Sequence, residues 1–257
     1  MNELITCTPK ALPREHWVKA AKTAVTINPA NQPHAEHMMR ALGGELPTPE
    51  RIAVMIGKRW PSGGVKLTVG FMDNPPANLR KRILLHMNAW AKTANVQFKE
   101  TKTDPQVRIA RESGADGGYW SYLGTDVLQI NKNKQTMNLE GFSMQTDESE
   151  YHRVVRHETG HTLGFPHEHM RRQLVAKIDP QKAIEFFGRT QGWTPDEVRQ
   201  QVLTPIESST IIGTTPDQHS IMCYQIPGSI TKNGKPIIGG LDIDQSDFKF
   251  AASIYPN

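Results

Sequence analysis

Hydrophobic positions along this chain switch between two periods, and the switches mark its elements. Residues 65–71 alternate apolar and polar, the period of a strand with one buried face. In the stretch 78–94, Leu79, Ile83, Leu84, Met87, Trp90 and Ala91 recur at three- and four-residue spacing, which predicts a long amphipathic helix turned towards a core. Residues 96–100, 106–110 and 127–130 are short strand candidates. A helix is predicted over about 148–163, another over 180–187, and a closing one over 244–254. Thr194-Pro195-Asp196-Glu197 is a capping box with proline at the first helical position, so a further helix runs to about Leu203.

Before residue 58 the pattern is broken into short helices at 14–25, 34–42 and 49–57. The turn-prone stretch Asn28-Pro29-Ala30-Asn31-Gln32-Pro33 and the pair Gly43-Gly44 interrupt them, and Pro47-Thr48-Pro49 marks a boundary. The organisation expected is a helical N-terminal segment, 1–50, and an α+β domain, 51–257, with a mixed sheet and long helices. Trp60-Pro61-Ser62-Gly63-Gly64 and Lys232-Asn233-Gly234-Lys235 read as turns.

Composition narrows the partners. With 257 residues, 37% hydrophobic, the chain can bury a core, and no apolar run approaches the roughly 20 residues that cross a bilayer. The net charge is +4, but the basic residues are scattered, and Arg80-Lys81-Arg82 falls on the solvated face of a helix. No nucleic-acid partner is expected. The first residues lack a basic start followed by an apolar stretch, so no secretory leader is read, which leaves localisation open between the cytoplasm and export by another route. Cys7 and Cys223 allow one bridge or two separate thiols.

The chemistry is concentrated in Arg156-His157-Glu158-Thr159-Gly160-His161-Thr162-Leu163-Gly164-Phe165-Pro166-His167. Histidines four apart share one helix face and can reach one tetrahedral ion. Glu158 adjoins the first of them, placed to act as a general base. Gly164 tolerates the left-handed conformation that ends a helix, and Pro166 prevents its resumption, so the chain turns back and brings His167 in as a third ligand. Three protein ligands leave one position for water, as in catalytic rather than structural zinc sites. From residue frequencies alone the full pattern arises in on the order of 10⁻⁴ of such chains. His152 and His169 lie outside it and read as surface or outer residues.

At these residues the sequence resembles the metzincins, and among them the astacin family. The zinc segment continues as His167-Glu168-His169-Met170-Arg171; Ser220-Ile221-Met222-Cys223-Tyr224 is similar to the family's Met-turn; and Gly118-Tyr119-Trp120-Ser121-Tyr122-Leu123-Gly124 is similar to the strand on the upper rim of its cleft. Weaker similarity runs from Arg59-Trp60-Pro61 through Trp90, Val96 and Phe98 to Ile254-Tyr255-Pro256. The resemblance implies a zinc-dependent endopeptidase of metzincin-like fold, with the active-site helix under the cleft. It holds one zinc ion at His157, His161 and His167, uses Glu158 as base, and acts on protein or peptide substrates. It also implies that Met222 forms a hydrophobic floor, that Tyr224 donates to the oxyanion, and that Trp120, Ser121 and Tyr122 bind substrate by main-chain pairing.

The departures matter too. The family's two disulfides are absent, since Asn95, Tyr119, Phe142 and the Pro256-Asn257 end stand at the four positions. Cys223 replaces a common histidine and reads as an inert buried thiol. The glutamate matching Glu168 contacts a freed N-terminus in the family, yet no aspartate motif that caps zinc is recognisable in 1–50; Cys7 reads as a plain free thiol, with a thiolate cap on zinc in a latent form as the alternative, so latency stays open. The rival from another class is a zinc-binding interaction module or toxin component without turnover. It has no need of a base, a Met-turn and a tyrosine together.

Overall fold

The computed structural model describes residues 7, 10–33, 56–205, 217–223 and 225–257. The predicted helix 34–42, nearly all of 49–57, the boundary at 47–49 and Tyr224 lie outside them.

Among the described residues the sheet has five strands, β1 (Val65–Phe71), β2 (Val96–Glu100), β3 (Val107–Ala110), β4 (Tyr119–Ser121) and β5 (Met137–Leu139), in the order β2-β1-β3-β5-β4. β1 runs parallel to β2 and β3, with Val65 opposite Val96 and Val69 opposite Val107. β3 is parallel to β5, and β4 alone is antiparallel, placing Trp120 opposite Asn138. Parallel neighbours need a crossover. Helix α2 (Ala77–Met87) supplies the one between β1 and β2, and its buried stripe of Leu79, Ile83 and Met87 packs on the sheet. The predicted helix 78–94 thus stands, but it tightens to a 3-10 turn at Asn88–Lys92. There Asn88 donates to Leu84 O and Phe98 O and accepts from Phe98 N, tying helix to strand.

The expected strand at 127–130 is instead part of a 3-10 helix, Gly124–Gln129. Gly124 has φ +47° and lies against the Lys58 carbonyl, which accepts from Thr125 N at 3.0 Å, so the chain turns where extension was predicted. A four-residue apolar run fits a buried turn as well as a strand. β5 escaped the pattern reading for a related reason: all three of its residues are buried, so nothing alternates.

One helix, α3, is formed by three consecutive stretches: Glu148–Glu150, a wider π-helical turn at Tyr151–Val155, and Arg156–Thr162. Gly164, φ +90°, then reverses the chain as expected. α4 (Pro180–Gln191) starts on Asp179, whose carboxylate accepts from Gln181 N and Lys182 N, and stops at left-handed Gly192. The Thr194 capping box opens α5 (Pro195–Val198), followed by a π-helical turn at Arg199–Leu203. These helices close a second core with Ile226, Ile230 and Ile237. α6 (Gln245–Ile254), capped by Asp244, returns to the sheet core with Tyr255. At the N-terminal end, α1 (Trp17–Ile27) is tied to this body by Asn31, which donates to Ala24 O and Arg59 O and accepts from Arg59 N.

Candidate active site

α3 delivers two imidazoles and the glycine turn delivers the third. His157 Nε2 lies 3.2 Å and His161 Nε2 lies 3.0 Å from His167 Nε2, with all three rings buried. The opposite ring nitrogens decide the tautomers. His157 Nδ1 is 2.6 Å from Ile221 O and His161 Nδ1 is 2.8 Å from Phe165 O. A carbonyl only accepts, so both Nδ1 atoms carry the proton and both Nε2 atoms present bare lone pairs. One proton on His167 can bridge only one of the two Nε2 contacts, whereas a divalent ion satisfies all three nitrogens. Tetrahedral zinc with nitrogen ligands wants edges of about 3.3 Å. Burial also pushes His161 down to about 4, so it is neutral and ready to ligate at physiological pH. By donor chemistry and spacing, this cluster fits zinc.

Glu158 follows His157 on the helix and is 1% exposed. Desolvation pushes its carboxyl up to about 8, against the opposing pull of Cys7 and of the Arg153 charge. Cys7 is the residue whose position the sequence left open. It is buried, its Sγ lies 3.5 Å from Glu158 Oε2, and its sulfur and one ligand atom from each histidine all lie within 4.8 Å of one another. Cys7 and Lys10 both lie along the cleft rim, because Cys7 bridges Tyr119 and Lys10 bridges Tyr122, both in parallel sense. Lys10 reinforces this contact from 4.8 Å above the Trp120 ring and through an ion pair with Asp116 at 3.4 Å.

The rim residues therefore divide. β4 offers its free edge to an added strand, and the N-terminal segment uses that edge. The Trp120 and Ser121 side chains are both buried: the indole donates to Asp116 O at 3.0 Å, and the Ser121 hydroxyl is 3.0 Å from that of Thr162 on α3. Tyr122 is half-buried.

Support below the histidines comes from the Met-turn and from one residue the sequence did not single out, Asp247. Asp247, at the start of α6, accepts from Ser220 Oγ at 2.6 Å and from Ile221 N at 2.8 Å, which fixes the carbonyl that orients His157. Met222 is buried; its carbonyl accepts from Glu168 N at 2.8 Å, and its thioether lies directly under Gly160. The indoles of Trp60 and Trp90 donate to Thr162 O and Arg156 O, and Tyr255 Oη donates to Leu163 O, so carbonyls along α3 stay paired inside the core. Glu168 pairs with Arg171 at 2.8 Å and accepts from Asp217 N. Cys223 is a buried thiol, pushed far up by desolvation, in keeping with an inert role. The closing helix over 244–254 was visible in the sequence, but the hold of Asp247 on a segment more than twenty residues upstream was not.

Comparison with known proteins points the same way. The family model of the astacin peptidases matches residues 53–239. Zinc metalloproteinase nas-27 of Caenorhabditis elegans is 30% identical over 115 residues, which span 44% of this chain and 23% of that protein's length. Among solved structures, myroilysin aligns with a TM-score of 0.72 at 30% identity, covering 78% of this chain and 96% of its own. High choriolytic enzyme 1, a hatching-enzyme zinc-protease of the medaka Oryzias latipes, shares the fold at a TM-score of 0.50 and 19% identity, over 76% of this chain and 92% of its own.

Proposed function

This chain belongs to the astacin family of zinc metallopeptidases, and from that premise we propose that it hydrolyses internal peptide bonds of protein or peptide substrates, with His157, His161 and His167 holding zinc and Glu158 as general base. The single observation that carries this reading is the convergence of the three Nε2 atoms, with two tautomers set by the carbonyls of Ile221 and Phe165. Bound there, zinc supplies a Lewis acid that polarises a carbonyl and lowers the pKa of a water towards about 7.

The chain's own residues do the rest. Glu158 accepts the proton of the attacking water and passes it to the leaving amine, a double transfer suited to a buried carboxyl that desolvation raises from its ordinary range. Tyr224, next after Cys223 on the Met-turn, is the proposed donor to the oxyanion. The β4 edge at Trp120, Ser121 and Tyr122 pairs with the substrate main chain, while the buried Trp120 and Ser121 side chains, bonded to Asp116 O and to Thr162, keep that edge in place. In this reading the intact chain is latent, since Cys7 lies against Glu158 and near the three histidines, and Cys7 and Lys10 bridge Tyr119 and Tyr122 where water and substrate would come.

The test uses the intact chain and a form freed of its N-terminal segment, with zinc analysis and casein-like substrates. Glu158→Gln keeps one zinc at the histidines and loses about 10²–10⁴-fold in turnover. Full activity of that variant would remove Glu158 as base. Absence of any chelator-sensitive, zinc-restored turnover in the freed form would favour a binding module instead.

A further inference from the structure

A second cluster of ligand-type side chains lies at the other end of α3, away from the three histidines. His86 ends the buried stripe of α2, Glu148 and His152 are four apart in the first turns of α3, and Asp242 lies just before α6. Glu148 Oε1 is 3.2 Å from His86 Nε2 and 3.4 Å from His152 Nε2, and the three ligand atoms lie within 4.8 Å of one another. Those two separations match the edges that nitrogen and oxygen ligands keep around tetrahedral zinc, about 3.3 Å.

Two further observations separate this cluster from ordinary surface ion pairs. His86 is 2% exposed, and its Nε2, although 3.2 Å from the carboxylate, makes no aligned hydrogen bond. An imidazole nitrogen buried without a partner costs desolvation energy that some ligand must offset. His152 is oriented from behind, since its Nδ1 is 2.9 Å from Asp242 Oδ2. Nδ1–H donating to that carboxylate leaves a bare Nε2 lone pair towards Glu148, the outer-sphere arrangement found behind metal-bound histidines. In that tautomer two electron-rich atoms face each other at 3.4 Å, a gap that a cation fills.

We propose that His86 Nε2, His152 Nε2 and Glu148 Oε1 form a second zinc site, which clamps α2 to the first turns of α3. Two imidazoles with one carboxylate select zinc over calcium or magnesium, which demand oxygen ligands. The flanking cations are accounted for. Arg82 Nη2 holds Glu148 Oε2 at 2.7 Å and Arg156 Nη1 holds Asp242 Oδ1 at 2.6 Å, so both guanidiniums sit on the outer oxygens. The approach of Arg156 Nε to His86 Nδ1, 3.4 Å, is long for a hydrogen bond, and releasing it lets Nδ1 carry the imidazole proton. With those charges close by, the clamp binds zinc more weakly than the three-histidine cluster. The competing occupant of the same gap is a proton on His152.

The test is metal stoichiometry, read by equilibrium dialysis of the folded, intact chain against micromolar zinc. The expected result is two ions in the parent protein and one in His152→Ala, with added zinc beyond the first equivalent raising the Tm of the parent but not of the variant. Glu148→Gln, at a more exposed position, reads the same loss if His152→Ala fails to fold. A fall from one ion to none supports the clamp and counts against the three-histidine centre instead. An unchanged count between parent and variants, whether one or two, overturns the clamp and leaves a proton as the occupant.

Discussion

Gly160 stands between Glu158 and His161 on α3, where a methyl group tests how closely the Met-turn supports the helix. A Cβ there would overlap the Met222 thioether and come within 3.2 Å of both Met222 Cε and Trp90 Cζ2. Two effects oppose each other in Gly160→Ala. Alanine favours the helix by about 1 kcal/mol. Overfilling a packed core costs about 1–3 kcal/mol, and little slack is available here. Trp90 is fully buried and anchored through Nε1 to Arg156 O, while Met222 is bonded at both ends of its peptide unit, to Ser220 Oγ and to Glu168 N. The expected net loss is about 1 kcal/mol, a fall in Tm of roughly 2–4 °C. A double-mutant cycle isolates the contact. Met222→Ala alone costs about 2–5 kcal/mol, but in that background Gly160→Ala becomes neutral or stabilising by up to about 1 kcal/mol, so the coupling is about 1–2 kcal/mol. The cycle is measured by urea unfolding of zinc-stripped protein, so that metal binding does not mask the difference. If Gly160→Ala costs the same in both backgrounds to within about 0.5 kcal/mol, Met222 does not press on Gly160 and the reasoning fails.

Other outcomes follow from the same contacts. Cys7→Ala in the intact chain raises hydrolysis of casein-like substrates at least tenfold, because a closing contact worth only about 1.4 kcal/mol is already a factor of ten; equal activity in parent and variant would show that Cys7 does not shut the cleft. Trp60→Phe removes the donor to Thr162 O and leaves a buried carbonyl and a void, so the urea midpoint drops by the equivalent of about 2–4 kcal/mol. Trp17→Phe, whose indole bonds Leu12 O at a half-buried place, is the milder comparison, and equal losses would argue against the burial account.

Much of this protein was legible in its residues because the signals are local. The alternation over 65–71, the stripe from Leu79 to Trp90, the capping box at Thr194, and the two histidines one turn apart all report on contacts within a few residues. Gly164 and Pro166 announced the reversal that returns His167, since backbone conformation is a property of the residue itself. Elements without a period were missed or misread: β5 is buried throughout, and the run 127–130 satisfies a buried turn as readily as a strand.

What only tertiary structure decided is the company each side chain keeps. The tautomers of His157 and His161 depend on carbonyls of Ile221 and Phe165, the Met-turn hangs from Asp247, and Cys7 reaches Glu158 across 151 positions of sequence. The same holds for His86, Glu148 and His152, two of them one helical turn apart and the third brought in by a different helix. Hydrophobic burial brings such groups together without regard to their order in the chain, so their pairing is written in the packing of the sheet and helices and in no single stretch of sequence.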